Sequence, residues 1–106
     1  MSTGNNTHIS DELNNGIKML GDVWILCIVG TLEKKEMRFN EIQRAIEGIN
    51  PATLASRLKR LEREKMIKRQ EETLNKLSVV YSLTDKGRGI LPILREIQTF
   101  ADKFLK

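Results

Sequence analysis

The stretch from Ile49 to Thr84 limits what this chain can fold into more than any other part of it. It opens with Asn50-Pro51, a helix start: asparagine is a good N-cap, and proline suits the first helical position, where its missing N–H costs nothing. A basic amphipathic helix follows, with Leu54, Leu58 and Leu61 spaced as one inner stripe. Two short strand-like segments then enclose a polar turn, Met66 to Gln70 and Ser78 to Leu83, with Val79, Tyr81 and Leu83 alternating on one face. Residues 51–70 carry seven basic and two acidic side chains, a surplus of five, while the whole chain is only +4. The basicity is therefore a local patch on a nearly neutral body. A patch of that kind on one element is the electrostatic footprint expected for a polyanionic partner.

The rest of the composition sets bounds. At 106 residues the chain is expected to form one domain, residues 10–106, behind a mobile tail at 1–9. A domain of this size buries roughly two-thirds of its unfolded surface, so it folds with little to spare and a partner subunit would help. Apolar residues at 40% and charged residues at 30% fit a globular protein and exclude a disordered tail. The longest apolar run, Val23 to Val29, is far short of the ~20 residues that span a bilayer, so no membrane partner is expected. Ser2 to Ser10 is polar and has no apolar core, which argues against a secretory signal. A single cysteine, Cys27, rules out an intrachain disulfide and suits a reducing cytoplasm.

Along the chain, residues 11–33 read as helix with a joint at Gly21. Leu13, Ile17 and Leu20 keep helical spacing before it. Asp22 can cap a second segment that is apolar on nearly all sides, which predicts a central buried helix. Met37-Arg38-Phe39 reads as extended. Asn40 is expected to begin a helix with Ile42, Ala45 and Ile46 inward, ended by Gly48 at positive φ. Thr84 is expected to cap one long last helix, kinked at Pro92 because that residue cannot bond the Arg88 carbonyl. Its apolar set, from Ile90 to Leu105, is too wide for one face. Part of it can pack on the domain, and the rest needs another partner.

Catalytic chemistry finds no support. His8 is the only histidine and lies in the tail, so a Ser-His-Asp or Cys-His arrangement has no base. Cys27 sits in an apolar run with no basic neighbour and reads as a structural thiol. No Cys/His cluster has zinc spacing, and Gly87-Arg88-Gly89 lacks the third glycine of a dinucleotide loop, so neither metal nor cofactor is expected. Trp24 reads first as core filling and second as the wall of a ligand pocket. Surface helices are often rich in Lys and Arg, and Lys59 or Lys65 could serve only solvation. The DNA reading of the helix rests on three further features: few acids within the segment, small or polar residues near the helix start, and a hairpin directly after it. Pro51, Ala52 and Ser56 would let backbone approach a groove, and Thr53, Ser56, Arg57 and Arg60 are read as outward.

These motifs resemble an HxlR-type transcriptional regulator, a branch of the MarR-like winged-helix proteins. The matching pieces are Ile17-Lys18-Met19-Leu20-Gly21-Asp22-Val23-Trp24, Arg38-Phe39-Asn40-Glu41-Ile42, Gly48-Ile49-Asn50, Leu54 with Leu58-Lys59-Arg60-Leu61-Glu62, and Val79-Val80-Tyr81-Ser82-Leu83-Thr84-Asp85-Lys86-Gly87. The pieces lie between Ile17 and Gly87, and the resemblance extends over about residues 11–104. The resemblance implies a homodimer held by the N- and C-terminal helices, with the helix after Asn50 as recognition helix and the hairpin as wing. Three positions depart from the family. Asp11 stands where members often carry a sensing cysteine, which excludes thiol sensing there. Val23 replaces a frequent lysine. In the wing, Lys76 offers a substitute for the usual basic residue, while Glu71 and Glu72 weaken the grip on phosphate.

The combined expectation is an α+β, mostly helical, winged helix-turn-helix that binds a roughly palindromic duplex as a cytoplasmic homodimer and regulates transcription. Arg57 and Thr53, with Ser56, are the expected base readers. Arg38, Asn40, Arg60, Lys68, Arg69 and Lys76 are the expected phosphate contacts. Leu13, Ile17, Ile93, Ile97, Phe100 and Phe104 are the expected dimer surface, and an unknown small-molecule effector near Trp24 is compatible with the whole. The alternative is a winged helix that docks proteins. It gains weight where Arg57 and Arg60 pair with acids across the fold.

Overall fold

The computed structural model describes residues 9–72 and 75–106, with the backbone alone at 75–77. Residues 1–8, most of the expected tail, lie outside the described residues. The Ser10 hydroxyl accepts the Leu13 N–H at 3.0 Å and starts α1 (Asp11–Leu20), which carries two acids in its first turn. The Gly21 N–H closes that helix on the Ile17 carbonyl at 2.7 Å. Asp22 then caps α2 (Val23–Thr31), so the joint falls where the sequence places it.

The core gathers around α2. Ile25, Ile28 and Val29 are fully buried against Leu32, against Ile42 of α3 (Phe39–Ala45), and against Leu54, Leu58 and Leu61 of α4 (Pro51–Arg63). The expectation of an all-round buried helix holds for one side only. Val23 is exposed, and Trp24, Leu26 and Cys27 are half-buried. A short strand, β1 (Met37–Arg38), leads into α3, which begins at Phe39 and not at Asn40. Glu41 explains the shift: its Oε1 accepts the Arg38 N–H at 2.8 Å, so Arg38 takes the capping position. Ala45, expected inward, is exposed, because the chain leaves the helix at Ile46 before that face can be covered. Gly48 adopts φ +88° in the turn to α4, a conformation that glycine enters freely.

The sheet is antiparallel in the order β1-β3-β2, with β2 at Ile67–Glu72 and β3 at Asn75–Leu83. Met37 pairs with Tyr81, and Ile67 with Leu83, so the base of the hairpin is pinned to the core; a register shift falls at Glu71/Glu72 further out.

The C-terminal region differs from the single kinked helix expected. Thr84 caps a short α5 (Asp85–Arg88), the chain breaks at Gly89-Ile90, and α6 runs from Leu91 to Phe104. Pro92 therefore lies in the first turn of α6, where no intrahelical bond is lost and no kink results. Packing fixes the segment before the break. Gly87 is buried so tightly that an added Cβ would lie 2.0 Å from the Met66 carbonyl oxygen, and the Thr84 hydroxyl donates to the Lys65 carbonyl at 2.7 Å. Leu91 and Ile90 reach the core, and Leu94 packs against it. Ile93, Ile97, Phe100, Phe104 and Leu105 remain exposed, as do Leu13 and Ile17 on α1. No helix among the described residues is long and apolar enough to cross a membrane.

Candidate nucleic-acid interface

The basic helix α4 is fixed at both ends. Asn50 Oδ1 accepts the Thr53 N–H at 2.8 Å, and Pro51 occupies the first position. At the other end the Met66 N–H reaches the Leu61 carbonyl and the Lys65 N–H the Glu62 carbonyl, each at 2.9 Å. That pattern is a Schellman close, and it holds Lys65 at φ +63° where glycine is usual. With Leu54, Leu58 and Leu61 buried, the opposite face carries Ala52, Ser56, Lys59 and Arg63, all exposed. Each residue advances about 100° around a helix. On that count Lys59 and Arg63, not named as contacts from the sequence, lie on the outward line with Ser56.

Arg57 lies on the flank instead of pointing outward. Its Nε donates to Asp22 Oδ2 at 2.8 Å, and its side chain keeps 30% exposure. The other oxygen, Asp22 Oδ1, accepts the Trp24 and Ile25 N–H groups at 2.9 and 3.2 Å. Burial, the largest single influence on this carboxyl, raises its pKa. The Arg57 hydrogen bond, the Ile25 N–H, the Arg57 charge and the Trp24 N–H together outweigh burial, and the net displacement is downward. Arg60 leans the same way, with Nη2 at 3.4 Å from the Lys18 carbonyl. Thr53 is half-buried on that flank. Between the flank and the outward line runs a trough of about 580 Å³, walled by Ala52 and Ser56 and edged by Arg57, Lys59, Arg60 and Arg63.

The other expected contacts are distributed around α4. Asn40 is exposed on α3, beside Arg44. Lys68 and Arg69 are exposed on β2 of the wing. The Lys76 side chain lies outside what is described. Arg38 is already engaged: Nε donates to Glu72 Oε1 at 3.0 Å and to Ser78 Oγ at 2.9 Å, and Nη2 pairs with the same carboxylate. The Ser78 hydroxyl donates to Glu72 at 2.8 Å. Ser78 first and Arg38 second hold the Glu72 carboxyl below its usual range. A second cleft, of about 550 Å³, opens beside Trp24 and Cys27, between α2 and Leu94 and Ile97 of α6.

A short helix, a glycine turn, a capped basic helix and an antiparallel hairpin make a winged helix-turn-helix, the architecture of a DNA-binding regulator. The chain belongs to the HxlR-like helix-turn-helix family, whose sequence profile matches residues 19–106. It is similar to the HTH-type transcriptional regulator YvaP of Bacillus subtilis strain 168, 33% identical over 95% of this chain and 94% of that one. The solved reduced form of the transcriptional regulator YodB from B. subtilis superposes with a TM-score of 0.79 at 34% identity, covering 91% of this chain and 94% of that one. A MarR-family regulator from Porphyromonas gingivalis W83 superposes with a TM-score of 0.81 at 31% identity, covering 92% and 99%. The protein is a DNA-binding transcriptional regulator of the helix-turn-helix type, not an enzyme.

Proposed function

We propose that the chain acts in the cytoplasm as a homodimer on a roughly palindromic duplex operator, with α4 of each subunit in a major groove. The observation that carries this reading is the outward line of α4. Small residues at its capped start are followed by Lys59 and Arg63, with no acid on that line. Ala52, Ser56 and Thr53 then approach base edges, with Pro51 at the backbone entry. Arg57 reads from the flank, and Arg60, Asn40, Lys68, Arg69 and Lys76 grip phosphates. Arg38 joins them only by leaving Glu72. The apolar faces of α1 and α6 meet their counterparts in the partner subunit, and an apolar effector would enter the cleft beside Trp24.

The Arg57–Asp22 pair is a feature that a protein-docking winged helix would share. Two observations favour DNA over that alternative: Lys59 and Arg63 stay exposed and make no salt bridge among the described residues, and the relatives are transcriptional regulators.

Selection of bound sequences from a random duplex pool, followed by titration at several salt concentrations, tests the proposal. If two subunits neutralise about 8 phosphates, affinity falls about a thousandfold or more between roughly 50 and 200 mM salt. No enrichment of any sequence, or a flat salt response, refutes it.

A further inference from the structure

Asp22 divides its two oxygens between two tasks. Oδ1 caps α2 through the Trp24 and Ile25 N–H groups, and Oδ2 takes the Nε–H of Arg57, 35 residues away. Only that one of the guanidinium's five N–H groups is taken up among the described residues, so both Nη nitrogens remain available along the trough edge. A side chain with 30% exposure and one end held has little rotamer freedom left to lose on binding. The Asp22 charge also offsets the Arg57 charge. That weakens the sequence-independent pull on phosphate, which follows net charge, while the planar pair of donors keeps its direction.

We propose that Asp22 is a positioning residue for operator discrimination: by holding Nε of Arg57 and offsetting its charge, it turns that arginine from a general phosphate grip into a directional reader of paired acceptors on a base edge, such as O6 and N7 of guanine. This rests on the operator reading given above.

The two halves of the idea separate by substitution. Asp22→Asn keeps a good N-cap but loses the charge, and its single oxygen cannot serve both the cap and Arg57. Arg57→Lys leaves Asp22 and its cap intact and keeps the positive charge, but removes the planar donor pair. The measurements are dissociation constants for the selected duplex and for a random duplex at three or more salt concentrations, together with a thermal melt of each variant.

Asp22→Asn should bind random duplex more tightly and with a steeper salt dependence, while the ratio of selected to random affinity shrinks about tenfold, the worth of one good base contact. Arg57→Lys should shrink the ratio by a similar factor, through weaker binding of the selected duplex. In the double variant the two losses should not add, because both remove the same oriented guanidinium. A ratio that stays at the wild-type value in Asp22→Asn, with both affinities raised alike, makes Asp22 a plain electrostatic brake and overturns the proposal. Additive losses overturn it as well. Should Asp22→Asn fail to fold, Arg57→Lys decides alone: an undiminished ratio there refutes directional reading. A wild-type ratio near unity refutes the operator reading itself, whereas a high wild-type ratio unmoved by either variant refutes directional reading by Arg57, and with it the role of Asp22, and leaves the operator reading standing.

Discussion

Replacing Phe100 with alanine should weaken self-association by about one to two orders of magnitude while leaving the fold in place. The ring lies on α6 with 55% of its surface exposed, so it contributes little to the core of one chain. Full burial of such a side chain stabilises by about 1.5–3 kcal/mol, and covering the exposed half recovers about 0.8–1.6 kcal/mol per copy. A twofold interface uses each residue twice, which gives about 1.6–3.2 kcal/mol for the dimer. At about 1.4 kcal/mol per decade, the dissociation constant rises by roughly 15- to 200-fold. Phe100 also meets Phe104 with ring centroids 5.2 Å apart. That contact lies within one chain and is present in the monomer as well, so it cancels from the association energy. Sedimentation equilibrium over a dilution series measures the constant directly, and far-ultraviolet circular dichroism at matched concentration confirms the helices. A dissociation constant within about twofold of wild type, where each decade is worth about 1.4 kcal/mol, would show that this part of α6 is not the interface.

Three further outcomes follow from local geometry. Gly87→Ala sets a Cβ at 2.0 Å from the Met66 carbonyl oxygen, a backbone atom that cannot turn aside, so it should cost about 3 kcal/mol or more and lower the melting temperature by over about 10 °C; a shift under about 3 °C would contradict the close approach. Lys65→Gly relieves φ +63° at the end of α4, and the relief of about 1–2 kcal/mol exceeds glycine's entropic cost, leaving a net gain of about 0.5 kcal/mol by urea unfolding; a loss of stability would contradict it. Glu72→Gln releases Arg38, and should raise duplex affinity and steepen the salt slope by about one unit in a binding titration, whereas an unchanged slope would show that Arg38 makes no phosphate contact. Because Ser78 and then Arg38 depress the Glu72 pKa, the native tie is complete above the ordinary carboxylate range and is lost only as pH falls through the depressed value. Wild-type affinity between about pH 6 and 8 should therefore not vary on account of this group.

How much of this was legible in the sequence depended on the distance over which each signal acts. The leucine stripe, the Asn50-Pro51 start and the positive φ of Gly48 are local regularities, and the structure has them where the spacing put them; the hairpin expected from Met66–Gln70 and Ser78–Leu83 is present too, with both strands reaching further toward its tip, at Ile67–Glu72 and Asn75–Leu83. The end of α4 was local too, but lysine in place of glycine concealed the Schellman close. Counting 100° steps from Leu54 and Leu58 would have moved Arg57 to the flank and brought Lys59 and Arg63 to the front. The split between α5 and α6 had a local sign in Pro92, which suits a first helical turn, but the docking of α5 was not local, since it brings Gly87 against Met66 across the hairpin base.

The Asp22–Arg57 bond was hidden for a related reason: capping alone accounts for an aspartate before a helix, and nothing in the spacing shows that its second oxygen is in use. Its position matters for assembly. Gly21 and Asp22 form the joint where α1, bearing Leu13 and Ile17, meets α2, and the same carboxylate holds α4. In a dimer built on α1 and α6, the angle at that joint sets the separation of the two α4 helices. Two half-sites lie about 34 Å apart when they are one turn of duplex apart. If the proposed dimer forms on α1 and α6, a carboxylate that ties that joint to α4 would bear on half-site spacing and on the direction of Arg57 together, and loosening it should disturb operator choice before it disturbs the fold.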